Sequence, residues 1–354
     1  MTAQRPLYNR PERSPGRAIL LPALLYAAGL SVLAAAIALA VSIGEIRIPF
    51  TTTLAAIGNA LGVSEVPLDR IHESIVRDYR LSRALVAACC GAGLALCGAI
   101  LQALLRNPLA EPYVLGISAG ASTGAVAVMV LGLGGGAISL SAGAFVGAMG
   151  AFLAVLMLSG GGTSRPNRII LAGVASSQLF NALTAWIVST SASAEQVRGI
   201  MFWLLGNLGG VRWPDVSLAL AVVAIGFVTC LLCARALDAF TFGQDAAAAL
   251  GIPVVAVRTL LFAVTALMTA AMVSMVGAIG FVGLVIPHAA RFVVGPTHAR
   301  LLPTSLLAGA IFMVLADIAS RVVVPGQSLP IGVVTALVGA PVFALILYRA
   351  RPPL

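Results

Sequence analysis

Asp317 and Arg321 stand four residues apart in an otherwise apolar run, so on a helix they share one face. Ionisable groups inside a membrane are costly unless paired. The pair offers a charge-neutral couple near the end of a span or, with Arg321 turned to water, a contact for a partner. Arg80 and Arg83 are three apart at the start of another apolar run. They offer either interfacial anchoring or a partner contact. His288, just after Pro287, has the chemistry to relay a proton or ligate haem iron. With no second ligand or paired carboxylate nearby, a satisfied polar contact is the stronger expectation. Gln102 reads as an interhelical hydrogen bond. Cys230-Leu-Leu-Cys233 has a redox spacing but sits inside an apolar run without histidine or acid, so it reads as two small apolar residues. Cys89, Cys90 and Cys97 read the same way. No triad or metal cluster can be assembled, so neither a catalytic residue nor a metal ligand is assigned.

All 21 basic residues are arginine. A P-loop needs a lysine to reach the terminal phosphates, so this chain carries no ATP site of that kind and is expected to hold no cofactor itself. Gly134-Gly-Gly136 and Gly160-Gly-Gly162 read as turns.

These residues need long apolar elements to position them. The chain has 354 residues, of which 60% are hydrophobic and 9% charged. Soluble domains carry about 25% charged residues. A helix needs roughly 20 apolar residues to cross a bilayer, and the alternating strands of a membrane barrel are absent. The expected class is all-α and polytopic, with about ten transmembrane helices at 18–43, 80–105, 113–132, 138–158, 168–191, 214–236, 257–279, 281–294, 303–324 and 331–348. The first is expected to be an uncleaved span, because its apolar run is longer than the roughly 7–15 residues of a signal-peptide core. Gly277, Gly280, Gly283 and Pro287 predict a broken segment within the uncharged run 259–290.

Ten spans put both termini on one side. Arg47, Arg70, Arg77, Arg80, Arg83, Arg198, Arg212 and Arg321 fall on the opposite side; the other thirteen of the 21 arginines fall with the termini. Basic residues favour the cytoplasm, so residues 1–17 form a cytoplasmic tail and residues 18–350 a ten-helix transmembrane domain with both termini inside. Segments 44–79 and 192–213 are then outer and 237–256 inner. Met201–Gly210 reads as a short interfacial helix ending at glycines, and Gln244–Leu250 as a short helix stopped by Gly251 with Pro253 beyond. The net charge of +9 reads as topology and contact with membrane lipid, with no nucleic-acid footprint. Gly91, Gly93, Gly98, Gly116, Gly120 and Gly124 read first as close helix packing. The residues alone point to a transporter or channel; an ion-gradient-driven carrier is the alternative class.

Several blocks occur in order: Arg80-Leu-Ser-Arg83, Gln102, Arg106-Asn-Pro-Leu-Ala-Glu-Pro112, Leu115-Gly-Ile-Ser-Ala-Gly120, Leu171-Ala-Gly-Val174, Trp203-Leu-Leu-Gly206, Gly277 through Pro287-His-Ala-Ala-Arg291, Leu315-Ala-Asp317, and Leu329-Pro-Ile-Gly through Phe343. From about residue 18 to the end, the chain resembles the permease subunits of ABC importers for iron–siderophore complexes, haem and cobalamin. Ser82 departs from the proline usual there. The resemblance implies a homodimer with a central pathway in the bacterial inner membrane. It implies two ATP-binding cassette subunits inside, which carry the ATP and Mg, and a periplasmic binding protein outside. It implies that Arg80, Arg83 and Arg321 dock the binding protein. Phe242, Gly243, Gln244, Asp245, Ala246, Leu250 and Gly251 would couple to the ATPase, and Asn107, Leu109, Pro166 and Asn167 would close the inner end. An iron complex, haem or ferric siderophore, is the expected cargo and cobalamin the alternative. The chain itself is expected not to be an enzyme.

Overall fold

The computed structural model describes residues 15–44, 48–60, 62–160 and 166–349. Most of the expected 1–17 tail, with Arg47 and Arg165, lies outside them. The helices are α1 (Pro15–Ser42), α2 (Phe50–Ala60), α3 (Arg70–Leu104), α4 (Ile117–Leu131), α5 (Leu140–Ser159), α6 (Pro166–Ser191), α7 (Ala194–Leu204), α8 (Trp213–Leu232), α9 (Ala234–Phe240), α10 (Gln244–Ala249), α11 (Val254–Val276), α12 (Val282–Val294), α13 (His298–Val322) and α14 (Ile331–Arg349). No strand occurs among the described residues. Seven helices (α1, α3, α5, α6, α8, α11 and α13) are long and apolar enough to cross a membrane, and α4, α12 and α14 are shorter apolar helices. Together they correspond to the ten expected spans.

α3 is the axis of the bundle. Its apolar stretch is almost wholly buried, whereas α1 exposes most of its surface, as expected of a helix facing lipid. Small residues set the approach of the neighbours. A Cβ added to Gly91 would meet Gly309 O at 2.1 Å, and one on Gly98 would meet Gly283 O at 1.8 Å. α4 and α5 pack in the same way, Gly120 against Gly147 and Gly124 against Gly143. With little hydrophobic drive between helices in lipid, such backbone-to-backbone contact carries much of the association.

Three boundaries differ from expectation. α3 begins at Arg70 rather than near residue 80, passing through one wide π turn at Ile75–Leu81. Ser82 Oγ donates to Asp78 O at 2.7 Å within that stretch. The helix expected at Met201–Gly210 is instead α7, which starts at Ala194 under a capping box between Ser193 and Gln196 and ends at Leu204. In the broken segment the interruption spans Gly277 to Phe281, at φ 76° and 68°, while Gly283 and Pro287 lie inside α12.

The break is stitched by other loops. Asn207 N–H donates to Val276 O, Ile331 N–H to Gly206 O, and Gly332 N–H to Leu205 O, at 2.8, 3.0 and 3.0 Å. Ile279 N–H donates to Tyr113 Oη. Non-helical backbone within a membrane bundle requires this internal satisfaction.

Candidate functional site

Helix direction places the candidate residues at two ends of the bundle. α3 is 35 residues long, about 52 Å at 1.5 Å per residue. Its first turns carry Arg80 and Arg83, and its last turn leads through Gln102 to Arg106 and Asn107.

At the first end lies one buried carboxylate. Asp317 of α13 is fully buried. Arg83 Nε donates to its Oδ1 at 2.8 Å, and Arg321 Nη2 approaches Oδ2 at 2.9 Å as a charge contact without hydrogen-bond alignment. Arg321 also donates to Ala40 O and Ile43 O, and Arg80 Nη1 to Val41 O and Ser42 O. Residues 40–43 are the C-terminal end of α1, whose last carbonyls have no partner within the helix and carry partial negative charge. Arg80 and Arg321 thus cap α1 while Arg83 and Arg321 pair with Asp317, fastening α1, α3 and α13 together. The side chains of Arg80 and Arg321 are committed inward. The side chain of Arg83 retains 18% exposure.

At the opposite end the chain makes two tight features. Arg106 sits at φ 49°, where a non-glycine residue is uncommon. Asn107 Oδ1 then accepts Leu109 N–H at 2.9 Å, closing an Asx turn that leaves Leu109 exposed. Pro166 and Asn167 open α6, Asn167 exposed. No hydrogen bond joins them to Asn107 or Leu109 among the described residues, so those four residues occupy two separate elements.

The second feature is α10 with its flanks. Gly243 at φ 112°, ψ 166° starts the helix and Gly251 at φ 79° ends it. Ala247 is buried, fixing the helix to the bundle, while Phe242 and Leu250 on either side are 80% and 73% exposed. Gln244 and Ala246 are half-buried and Asp245 is exposed. A Cβ on Gly243 would lie 3.5 Å from Arg106 Nη1, so α10 and the Asn-Pro turn abut.

One further link was not foreseen from the sequence. His298 Nδ1 lies 2.6 Å from Asp238 Oδ1, and the same oxygen accepts His298 N–H at 2.8 Å, joining α9 to α13. Gln102 donates to the carbonyls of Gly283 and Leu284 and accepts from Arg291, as the interhelical reading requires. The expected satisfied contact at His288 is not found. Its Nδ1 has no hydrogen-bond partner among the described residues, and its ring stands edge-on to Phe292. His288 lines a cavity at this end of the bundle, which no signal in the sequence announced. The five cysteines are free thiols.

The fold and the two ends define a multi-pass helical membrane permease. Residues 32–349 match the FecCD transport family, and the chain belongs to it. It is 42% identical over 274 residues to a cobalamin import system permease protein of Halobacterium salinarum, covering 77% of this chain and 73% of that one. It is 39% identical over 331 residues to the ABC transporter permease protein YvrB of Bacillus subtilis, covering 92% and 93%. Among solved structures it resembles a metal-chelate type ABC transporter in an inward-facing conformation, with a TM-score of 0.80, 29% identity, and 93% and 99% coverage. The chain is thus an ABC-importer permease.

Proposed function

We propose that this chain works as a homodimer whose central pathway carries a large metal chelate inward across the bacterial inner membrane. A separate pair of ATPase subunits would drive it and a periplasmic binding protein would load it. The observation that carries the reading is α10. A short helix held by one buried alanine, with Phe242 and Leu250 exposed on both sides, is an apolar contact surface for another protein. Its contact with Arg106 gives movement of that partner a direct route to the Asn107–Leu109 turn, the proposed inner gate together with Pro166 and Asn167. This orientation puts α10 and both termini in the cytoplasm, in line with the arginine bias. The Asp317 end then faces the periplasm. There Arg83 is the docking arginine with an exposed edge, and Arg80 and Arg321 hold the surface that presents it.

An iron complex, haem or ferric siderophore, is the cargo expected from the family's commoner use. Cobalamin is the second reading, favoured by the 42% identity to the Halobacterium permease. Proteoliposomes containing the chain, its ATPase and its binding protein test both levels. Uptake that requires ATP and persists without an ion gradient supports the importer; uptake driven by a gradient alone refutes it. Stimulation of ATP hydrolysis by loaded binding protein, compared across haem, a ferric siderophore and cobalamin, assigns the cargo.

A further inference from the structure

A cavity of about 280 Å³ lies at the α10 end, between the Asn-Pro turn, α9, α12 and the start of α13. Arg106, Gln102, His288, Arg291, Thr241 and His298 supply its polar wall, and no carboxylate lines it. We propose that this cavity binds a phosphate-type anion, as free phosphate or as the phosphomonoester headgroup of an anionic lipid.

Two side-chain atoms carry the inference. His298 is 2% exposed, and its Nε2 has no hydrogen-bond partner among the described residues. His288 Nδ1, on a second residue of the lining, is another buried nitrogen without a partner among the described residues. A polar atom buried without a partner is costly, and the two residues that carry these atoms line one cavity together with two arginines, which describes a site lacking its ligand. Arginine suits that ligand, because its fork matches the oxygens of phosphate.

The tautomer narrows the chemistry further. Asp238 as a carboxylate only accepts, so His298 Nδ1 carries the hydrogen at that contact. Nε2 of the neutral ring is then a bare acceptor on a residue that lines the cavity. A fully ionised anion such as sulfate offers it no hydrogen. Inorganic phosphate does, because it keeps at least one hydrogen near neutral pH, and a monoester keeps one until its second ionisation at about 6. The shared proton either stays on the phosphate oxygen or moves to Nε2, leaving a more highly charged phosphate beside an imidazolium; atoms and total charge are unchanged. The groups facing this ring are Asp238 from α9, Arg106 from the turn, and Arg291 and His288 from α12. Because the wall joins Thr241, next to α10, to Arg106 and Asn107 at the gate turn, a bound anion would bridge the two.

The test uses the full chain in phosphatidylcholine nanodiscs, without ATPase or cargo, so its failure is separate from failure of the importer reading. Inorganic phosphate is titrated by ³¹P line broadening, with sulfate as competitor at pH 8. The expected result is saturable phosphate binding, with sulfate at least tenfold weaker. Arg106→Gln, at an exposed position, and Arg291→Gln should each weaken phosphate at least tenfold. A second arm measures retention of phosphatidic acid by native mass spectrometry in mixed nanodiscs. Phosphate binding lost in the variants identifies a free-anion site. Phosphatidic acid retention lost in them, without phosphate binding, identifies a headgroup site. If neither ligand responds to both substitutions in chains that remain folded by circular dichroism, the proposal is overturned.

Discussion

Arg83 Nε donates to Asp317 Oδ1 at 2.8 Å across 234 residues of sequence, joining the central helix α3 to α13 around a fully buried carboxylate. Arg321 shares the same carboxylate. Removing it leaves two guanidiniums facing each other and the end of α1. Breaking a buried pair by deleting one partner costs about 3–5 kcal/mol. Asp317→Ala should therefore lower the thermal unfolding midpoint of the detergent-solubilised chain sharply. Adding Arg83→Leu should recover part of that loss, since residues in one ion-pair network are not additive. Strict additivity would mean that the pair is energetically idle.

The close approach of α3 and α12 gives a steric prediction. The atom nearest an added Cβ at Gly98 is a backbone oxygen, Gly283 O, which no rotamer change can move. Gly98→Val should cost at least the roughly 1–3 kcal/mol of core overpacking. Gly150, with nothing within 4 Å of its added Cβ, provides the control. Gly150→Ala in α5 should be neutral or stabilising, because alanine favours the helix by up to about 1 kcal/mol over glycine. Unfolding midpoints of the two variants decide it.

How these features could be seen in advance depends on their range. Apolar runs separated by arginine and proline located the ten spans, and Gly251 with Pro253 located the end of α10, because those signals are local. The start of α3 was hidden because residues 70–79 are polar and read as loop; packing against α2 and the end of α1 holds them helical. For α7, glycines at 206–210 drew attention from the start signal that governs it, Ser193 with Gln196 three residues on. The Asp317–Arg321 couple was visible at its spacing of four. Arg83 as third member was not, nor was the Asp238–His298 link, since spans distant in sequence meet only in the folded bundle. For the same reason, the docking reading of Arg80 did not anticipate that its guanidinium caps α1.

If Arg83 steers a binding protein, docking should be charge-dependent. Arg83→Lys keeps the charge and Arg83→Gln removes it, while both disturb the contact with Asp317. Docking at 50 mM salt should weaken more in the Gln variant, and the difference should shrink at high salt as exposed charges are screened. Equal docking of both variants at low salt would confine Arg83 to a structural role.

The exposed residues beside α10 should carry association with the ATPase. Fully burying a Phe or Leu side chain is worth about 1.5–3 kcal/mol. Phe242→Ser and Leu250→Ser should each weaken ATPase binding by roughly ten- to a hundredfold, with little change in the stability of the permease alone, because both side chains already face solvent. Co-purification and titration of the ATPase onto the permease measure this directly.

Gly243 tests transmission rather than binding. Its φ of 112° and ψ of 166° lie in a region that is essentially restricted to glycine. Any Cβ there also points toward Arg106 Nη1. Gly243→Ala should add about 1–3 kcal/mol of local strain, which the chain can relieve by rotating α10 away from the Asn-Pro turn. Phe242 and Leu250 remain available, so the ATPase should still associate. What should fall is cargo moved per ATP hydrolysed in proteoliposomes. A variant that binds the ATPase normally and transports with unchanged stoichiometry would show that the contact between α10 and the turn does not transmit the stroke.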